Sequence, residues 1–299
     1  MEQLSVDMFW LAIVATATAT VLYWGYAFGA RVAVRRLATD PGGPSGSPSL
    51  TLTTWERLPV SVGRAATAAV WLAIALLGAA LVARWRATDH APWSNMWEYT
   101  VAFAWGVSFA YAVFERWYGQ RTLGSVALPV ALGLMVTAAV FFPSDVKPLV
   151  PALQNQPLLT AHVAMMVLSY SALSVSFGSA VMYLIQGEGN RFARLPRASL
   201  LDEIGYRSVM VGFPMLALGI ALGAYWGNKA WGRYWGWDPK ETSALVTWLI
   251  YAGYLHMRGL RRWQGTRSAV LLVIGFAAVL FTFFAVNLWV SGLHSYAGV

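Results

Sequence analysis

Two features of this 299-residue chain are suited to chemistry: its four histidines and a short segment crowded with tryptophan. Imidazole is a common ligand for iron and zinc, so two of His90, His162, His256 and His294 on one membrane face would invite a shared metal. Cysteine is absent, which excludes disulfides, thiolate zinc sites, iron–sulfur clusters and a thiol relay within this chain. Each histidine also has a plainer reading, as an interfacial polar residue bonded to backbone or water. The second feature is Trp226-Gly227-Asn228-Lys229-Ala230-Trp231-Gly232-Arg233-Tyr234-Trp235-Gly236-Trp237-Asp238-Pro239-Lys240-Glu241. Its glycines let backbone lie close to a flat partner, and Lys229, Arg233 and Lys240 set cations beside the rings. Trp and Tyr also gather at membrane–water interfaces, so an aromatic belt is the alternative. The end of the segment has the form of a helix start, with Asp238 as N-cap, Pro239 first and Glu241 third. Direct contact of Asp238 and Glu241 with a bound group is the other possibility.

The elements that must position these groups follow from composition. The chain is 58% hydrophobic and 11% charged, with a mean hydropathy of +0.54. Soluble domains average about 25% charged residues, so an ordinary water-soluble enzyme is excluded. Eight stretches lack Asp, Glu, Lys and Arg: about Phe9–Ala30, Ala65–Ala83, Tyr99–Phe114, Thr122–Phe142, Ala161–Gln186, Ser208–Trp226, Thr242–Met257 and Ser268–Val290. A membrane-crossing helix needs roughly 17–25 apolar residues. The third and seventh are short, so their ends would use Trp, Tyr or flanking stems at the interface. None has the two-residue alternation of a barrel strand, so the expected fold is all-α: a polytopic membrane bundle of about eight helices.

Basic residues set the orientation. Fifteen fall on one set of loops, among them Arg31, Arg116, Arg191 and Arg258, and six on the other, Arg84, Arg86, Lys147, Lys229, Arg233 and Lys240. The positive-inside rule puts the richer set in the cytoplasm and both termini outside. Basic charge follows the first apolar run rather than preceding it, so that run is expected to be a retained anchor and not a signal peptide. Pro41-Gly42-Gly43-Pro44-Ser45-Gly46-Ser47-Pro48 reads as a flexible cytoplasmic linker. The expected organisation is therefore an anchor and linker over 1–64 and a membrane domain over 65–299, with the external loop at 226–241. Nucleic-acid binding has no support, because topology explains the spread arginines.

In this topology His162 and His294 fall on the same face as the tryptophan loop, while His256 lies near the inner end of the seventh span and His90 in the first external loop. A planar, apolar dianion would suit the loop, with rings stacked on its face and cations at its carboxylates. Haem fits that description, with two histidines at hand for the iron. The expected wall is Trp226, Trp231, Trp235 and Trp237, with Lys229 and Arg233 as candidates for the propionates.

The loop resembles the WWD domain of a haem-handling superfamily, most closely the CcsA (ResC) type of cytochrome c biogenesis protein. Tyr234-Trp235-Gly236-Trp237-Asp238-Pro239-Lys240-Glu241-Thr242 has the form of that type. Further matches are Trp93-Ser94-Asn95-Met96-Trp97-Glu98-Tyr99, Gly205-Tyr206-Arg207, Leu255-His256 and Ser291-Gly292-Leu293-His294-Ser295-Tyr296. The resemblance runs from about Ala65 to Val299, and Trp97 stands where the family commonly has Tyr. It implies a complex with a CcsB (ResB) membrane partner that moves haem outward and joins it to the CXXCH segment of apocytochrome c, a haem lyase activity. The implied setting is a bacterial plasma membrane, or a thylakoid membrane for a plastid-encoded chain, with the loop facing outside. It implies His162 and His294 as axial ligands of an external haem, and His256 in an inner haem site whose second histidine comes from the partner. His90 falls in a family motif with no ligand role to transfer.

The alternatives are a haem exporter or chaperone without ligation activity and, from another class, a solute transporter. Transport predicts paired charges or broken helices at the midplane, and none of the eight stretches contains a charged residue.

Overall fold

The computed structural model describes residues 1–28, 60–146, 149–154, 156–260, 263–290 and 292–294. These form eight long helices: α1 (Glu2–Phe28), α2 (Val60–Thr88), α3 (Met96–Tyr118), α4 (Gly124–Phe141), α5 (Gln156–Gln186), α6 (Ala198–Trp231), α7 (Pro239–Gly259) and α8 (Thr266–Leu280). Single turns at Arg121–Leu123 and Pro151–Gln154 lead into α4 and α5, and a π-helical turn at Phe281–Ala285 joins α8 to the short α9 (Val286–Leu288). There is no strand among the described residues. Six of the helical segments are long and apolar enough to cross a membrane: Glu2–Phe28, Ser61–Thr88, Arg121–Phe141, Pro157–Gln186, Ala198–Trp231 and Thr266–Ala285. The chain is a polytopic helical membrane protein. α3 and α7, the helices built on the two shortest apolar stretches, are the other two long helices. The linker expected at residues 41–48 lies outside the described residues. α1 is built into the bundle, since Phe9, Ala12, Ala19 and Tyr23 belong to the main hydrophobic core.

Several helices overrun the expected stretches, α2 by more than a turn at its end, and this changes the place of Arg84. The charge count put it in an external loop, but it lies within α2, its side chain wholly buried. The overrun is possible because Arg84 Nε donates to Glu98 Oε1 at 2.8 Å, its guanidinium reaches the Ser144 carbonyl, and it lies 5.1 Å from the Trp97 ring. Glu98 is satisfied in turn by the Ser94 amide and hydroxyl, both at 2.7 Å, while Asn95 Oδ1 accepts the Glu98 amide and caps α3. The segment Trp93–Tyr99 is thus a capped helix start built around a neutralised ion pair. A paired buried charge is tolerable where a lone one is not.

A seam of small residues joins α5 to α6. Ser169, Ser171, Ser174, Ser176 and Ser179 are all buried on α5, and Ser169 Oγ donates to the Gly212 carbonyl at 2.9 Å. On α6 a Cβ at Gly212 or Gly219 would lie 3.0 Å from Leu173 and 2.6 Å from Met166 respectively, while Ser171 faces Gly106 of α3. Small residues allow such close approach in membranes, where apolar burial gives little net attraction between helices. This seam carries one wall of the site.

Candidate functional site

At the end of the bundle formed by the starts of α3, α5 and α7 and the ends of α6 and α8, a cavity of ≈ 980 Å³ (including the space at its mouth) opens between the helices. His162 and His294 both line it, together with Trp226, Trp235, Tyr99, Phe103, Phe283, Lys240, Glu241 and Asn287. The two imidazoles both meet Trp226. His162 is parallel to the Trp226 indole, with centroids 6.1 Å apart and planes 4° apart, and His294 is tilted at 50° with its centroid 5.9 Å away. Trp231 meets both Trp226 and His294 edge-on, at 4.8 Å and 4.9 Å.

His162 is placed by the helix seam. Its Nδ1 bonds the Gly219 carbonyl at 2.7 Å, and it fills the notch at Gly223, where a Cβ would lie 2.7 Å from the His162 ring. With Nδ1–H donated to a carbonyl, Nε2 is the nitrogen through which the ring would coordinate. His294 is placed by the loop. Its Nδ1 lies 2.7 Å from Asp238 Oδ2, while Asp238 Oδ1 accepts the Leu293 amide at 2.6 Å. Gly292 makes this approach possible, since a Cβ there would lie 2.5 Å from Asp238 Oδ1.

The residues of 235–241 fold as the spacing predicts. Asp238 Oδ2 accepts the Lys240 amide at 3.0 Å, and Glu241 Oε2 accepts the Asp238 and Gly236 amides at 3.2 and 2.8 Å, which closes a capping box at the start of α7. Asp238 therefore has both the structural role read from its spacing and a contact with a cavity residue. Burial raises the Asp238 carboxyl, but the bonds from His294, Leu293 and Lys240 outweigh it and hold it below the usual carboxylate range. Burial lowers His294, with Asp238 opposing.

The tryptophans of the loop do not share one environment. Trp226 is 1% exposed and its Nε1 has no hydrogen-bond partner among the described residues, and Trp235 lines the cavity. Trp231 stands behind Trp226 and His294. Trp237 is 70% exposed, in a left-handed backbone conformation (φ 56°), and meets Trp235 edge-on at 5.8 Å. Left-handed φ is uncommon for a bulky residue and stores strain of about 1–3 kcal/mol.

The cations also separate. Lys229 is exposed with its Nζ 5.8 Å from the Tyr225 ring, and exposed Arg233 folds back over Gly236; neither lines the cavity. Lys240 does line it, with Nζ donating to Asn287 Oδ1 at 2.7 Å. Lys240, as the cation of the cavity, and Asn287 are site residues beyond those expected from the sequence. The signal available was the helix start itself, because a residue at the second position of α7 turns with the helix into the bundle. The π-helical turn is a second signal without a sequence mark: Thr282 and Phe283 lie in it and line the cavity, and such turns recur at functional sites.

The remaining histidines stand apart. His90 Nδ1 bonds the Ala91 carbonyl at 2.9 Å, away from the cavity. His256 is in the last turn of α7 with its side chain exposed on the surface of the bundle. Among the described residues no group of three or more His, Cys, Asp or Glu could hold a metal ion. Two imidazoles in an apolar cavity instead suit a metal that brings its own equatorial ligands.

Residues 93–294 match the family described as Cytochrome C assembly protein. The chain is 37% identical over 284 residues to the cytochrome c biogenesis protein CcsA of Gloeothece citriformis (strain PCC 7424), covering 77% of this chain and 86% of that one. To the cytochrome c biogenesis protein CcsA of Porphyra purpurea it is 36% identical over 265 residues, covering 74% and 83%. Among solved structures the fold is similar to that of cytochrome c heme lyase CcmF, with a TM-score of 0.64 at 19% identity. That likeness, one of fold, covers 95% of this chain and 46% of the other, so this chain spans about half of that protein.

Proposed function

This chain belongs to the cytochrome c assembly protein family, and from that premise we propose that it is the haem-handling subunit of a cytochrome c synthase. In this reading it works with a CcsB (ResB) type membrane partner, receives haem, and positions it for attachment to the CXXCH segment of apocytochrome c. The cavity end faces outside, in a bacterial plasma membrane or a thylakoid membrane, as the spread of arginines supports.

The observation that carries the reading is the convergence of His162 and His294 on one apolar cavity, each with Nδ1 held by an oxygen acceptor. That arrangement suits bis-imidazole ligation through Nε2. Trp226 and Trp235 would wall the porphyrin, with Trp231 backing Trp226 and His294, and Trp237 at the outer edge. Lys229 and Arg233 remain candidates for the propionates at the mouth, and Lys240 is added as a candidate within the cavity.

The substrate carries the reactive groups, so the chain's contribution is placement. Each cysteine thiol of the apocytochrome adds across one vinyl double bond: sulfur bonds one carbon and the thiol hydrogen goes to its neighbour, with no leaving group. Two axial imidazoles keep oxygen from the iron and so protect the reduced state. The histidine of the CXXCH segment then displaces one of the two, which favours release. His256, exposed on α7, is suited to an inner site completed by the partner.

The test is conversion of a CXXCH apoprotein by the purified complex with haem supplied. A covalent product is expected from the wild type, and none from His162→Ala or His294→Ala. Wild-type yield in both variants would overturn the ligand assignment, and haem passed on without a thioether bond by the wild type would favour a chaperone.

A further inference from the structure

The two imidazoles of the cavity are held by different kinds of acceptor. His162 Nδ1 bonds a neutral backbone carbonyl, Gly219, at 2.7 Å. His294 Nδ1 lies at the same distance from a carboxylate, Asp238, whose side chain is 2% exposed. Hydrogen bonds to an ionised acceptor are roughly twice as strong as neutral ones. An acceptor on the far nitrogen of a ligating histidine raises the ring's basicity and fixes its orientation. A buried anion does this more than a carbonyl does, since little solvent screens it.

The tethering differs in the same sense. Asp238 also accepts the Leu293 amide at 2.6 Å, and it is itself fixed to α7 through the Lys240 and Glu241 bonds of the capping box. His294 is thus clamped by one carboxylate through both its ring and the preceding amide. His162 sits in the Gly223 notch and bonds a carbonyl of the neighbouring helix.

We propose that Asp238 is a positioning residue that makes His294 the retained axial ligand, and that His162 is the ligand displaced by the histidine of the incoming CXXCH segment. This rests on the haem reading above and assigns the exchange to one of the two ligands.

The experiment uses the full-length chain purified with its membrane partner, in wild-type form and as His162→Gly, His294→Gly, Asp238→Asn and Asp238→Ser. Haem retention, the absorption spectrum with and without added imidazole, and the midpoint potential of the bound haem are read. His162→Gly is expected to keep haem on His294 and to regain a two-imidazole spectrum when imidazole is added. His294→Gly is expected to lose haem at least about 10-fold more readily, in line with the ~10–100-fold effect of the outer partner. Asp238→Asn keeps an N-cap residue as good as Asp and one oxygen for His294 and the Lys240 amide, but removes the charge and the acceptor of the Leu293 amide. It should lower retention and move the midpoint potential upward, because the ferric form loses a donor. Asp238→Ser also caps α7 but cannot reach His294, and should lose at least as much haem.

A wild-type potential and retention in Asp238→Asn, with both glycine variants impaired, would overturn this inference and leave the ligand reading standing. So would a His162→Gly protein that loses haem while His294→Gly keeps it. Wild-type spectra in both glycine variants would remove the ligand reading and the inference together.

Discussion

Two buried carboxylates, Glu115 and Asp238, stand at opposite ends of the bundle and do different work. At the far end of α3, Glu115 Oε2 accepts the Tyr23 and Tyr111 hydroxyls at 2.5 and 2.7 Å, Oε1 accepts Thr67 at 2.5 Å, and Arg121 Nε lies 3.4 Å away. All its partners are groups that need an acceptor of their own, and none of these residues lines the cavity. Asp238 likewise accepts three hydrogen bonds, but one comes from an imidazole that lines the cavity. A carboxylate saturated by its neighbours fixes helices. A carboxylate bonded to a ring at a cavity wall passes its charge on to whatever that ring meets. The count of bonds does not separate the two; the position of the last partner does.

The comparison breaks most visibly at Gly223, on the seam that places His162. In Gly223→Ala the added Cβ would lie 2.7 Å from the ring, so the imidazole must leave its notch. The two-imidazole haem spectrum of the purified protein is expected to be lost as in His162→Ala, with helical content by circular dichroism unchanged. A wild-type haem spectrum would mean that the notch does not set the ring.

Next in size is Glu115→Ala, which strands two tyrosine hydroxyls and an arginine. Breaking a buried charged network costs about 3 kcal/mol, so the thermal midpoint in detergent should drop while the haem spectrum stays as in the wild type. A changed spectrum at full stability would show that the two ends are coupled.

A smaller effect separates the cations. Lys240→Gln is expected to weaken haem retention about tenfold, the scale of one charge-assisted hydrogen bond. Arg233→Gln, exposed and outside the cavity, should change it by less than about fivefold. The reverse order in a haem-transfer assay would return the propionates to the loop's outer cations. Smallest of all, His256→Ala should leave thioether formation unchanged when haem is supplied from outside, measured as covalent product. Equal loss with and without supplied haem would place its role at the outer site instead.

Much of this was legible in the sequence, and particular residues show where legibility stopped. The apolar stretches mark the eight long helices because a lipid environment leaves few other ways to satisfy backbone. Helix ends depart from the apolar stretches where charges pair inside the bundle: Arg84 looks like a loop residue, but Glu98, fourteen positions on, neutralises it. The capping box at Asp238 could be read from local spacing, since Glu241 is three residues away. Its bond to His294 spans 56 positions and depends on the packing of α7 against α8 and α9, for which local spacing gives no sign. Lys229, Arg233 and Lys240 were alike as members of one loop. The helix start at Pro239 turns one of them inward and leaves the others in the open.

The most direct measurement is the electron paramagnetic resonance spectrum of ferric haem bound to the full-length protein. Two imidazoles across one iron predict a low-spin signal in the wild type that is lost, or replaced by a high-spin signal, in both His162→Ala and His294→Ala. A low-spin signal unchanged in either variant would contradict the shared site.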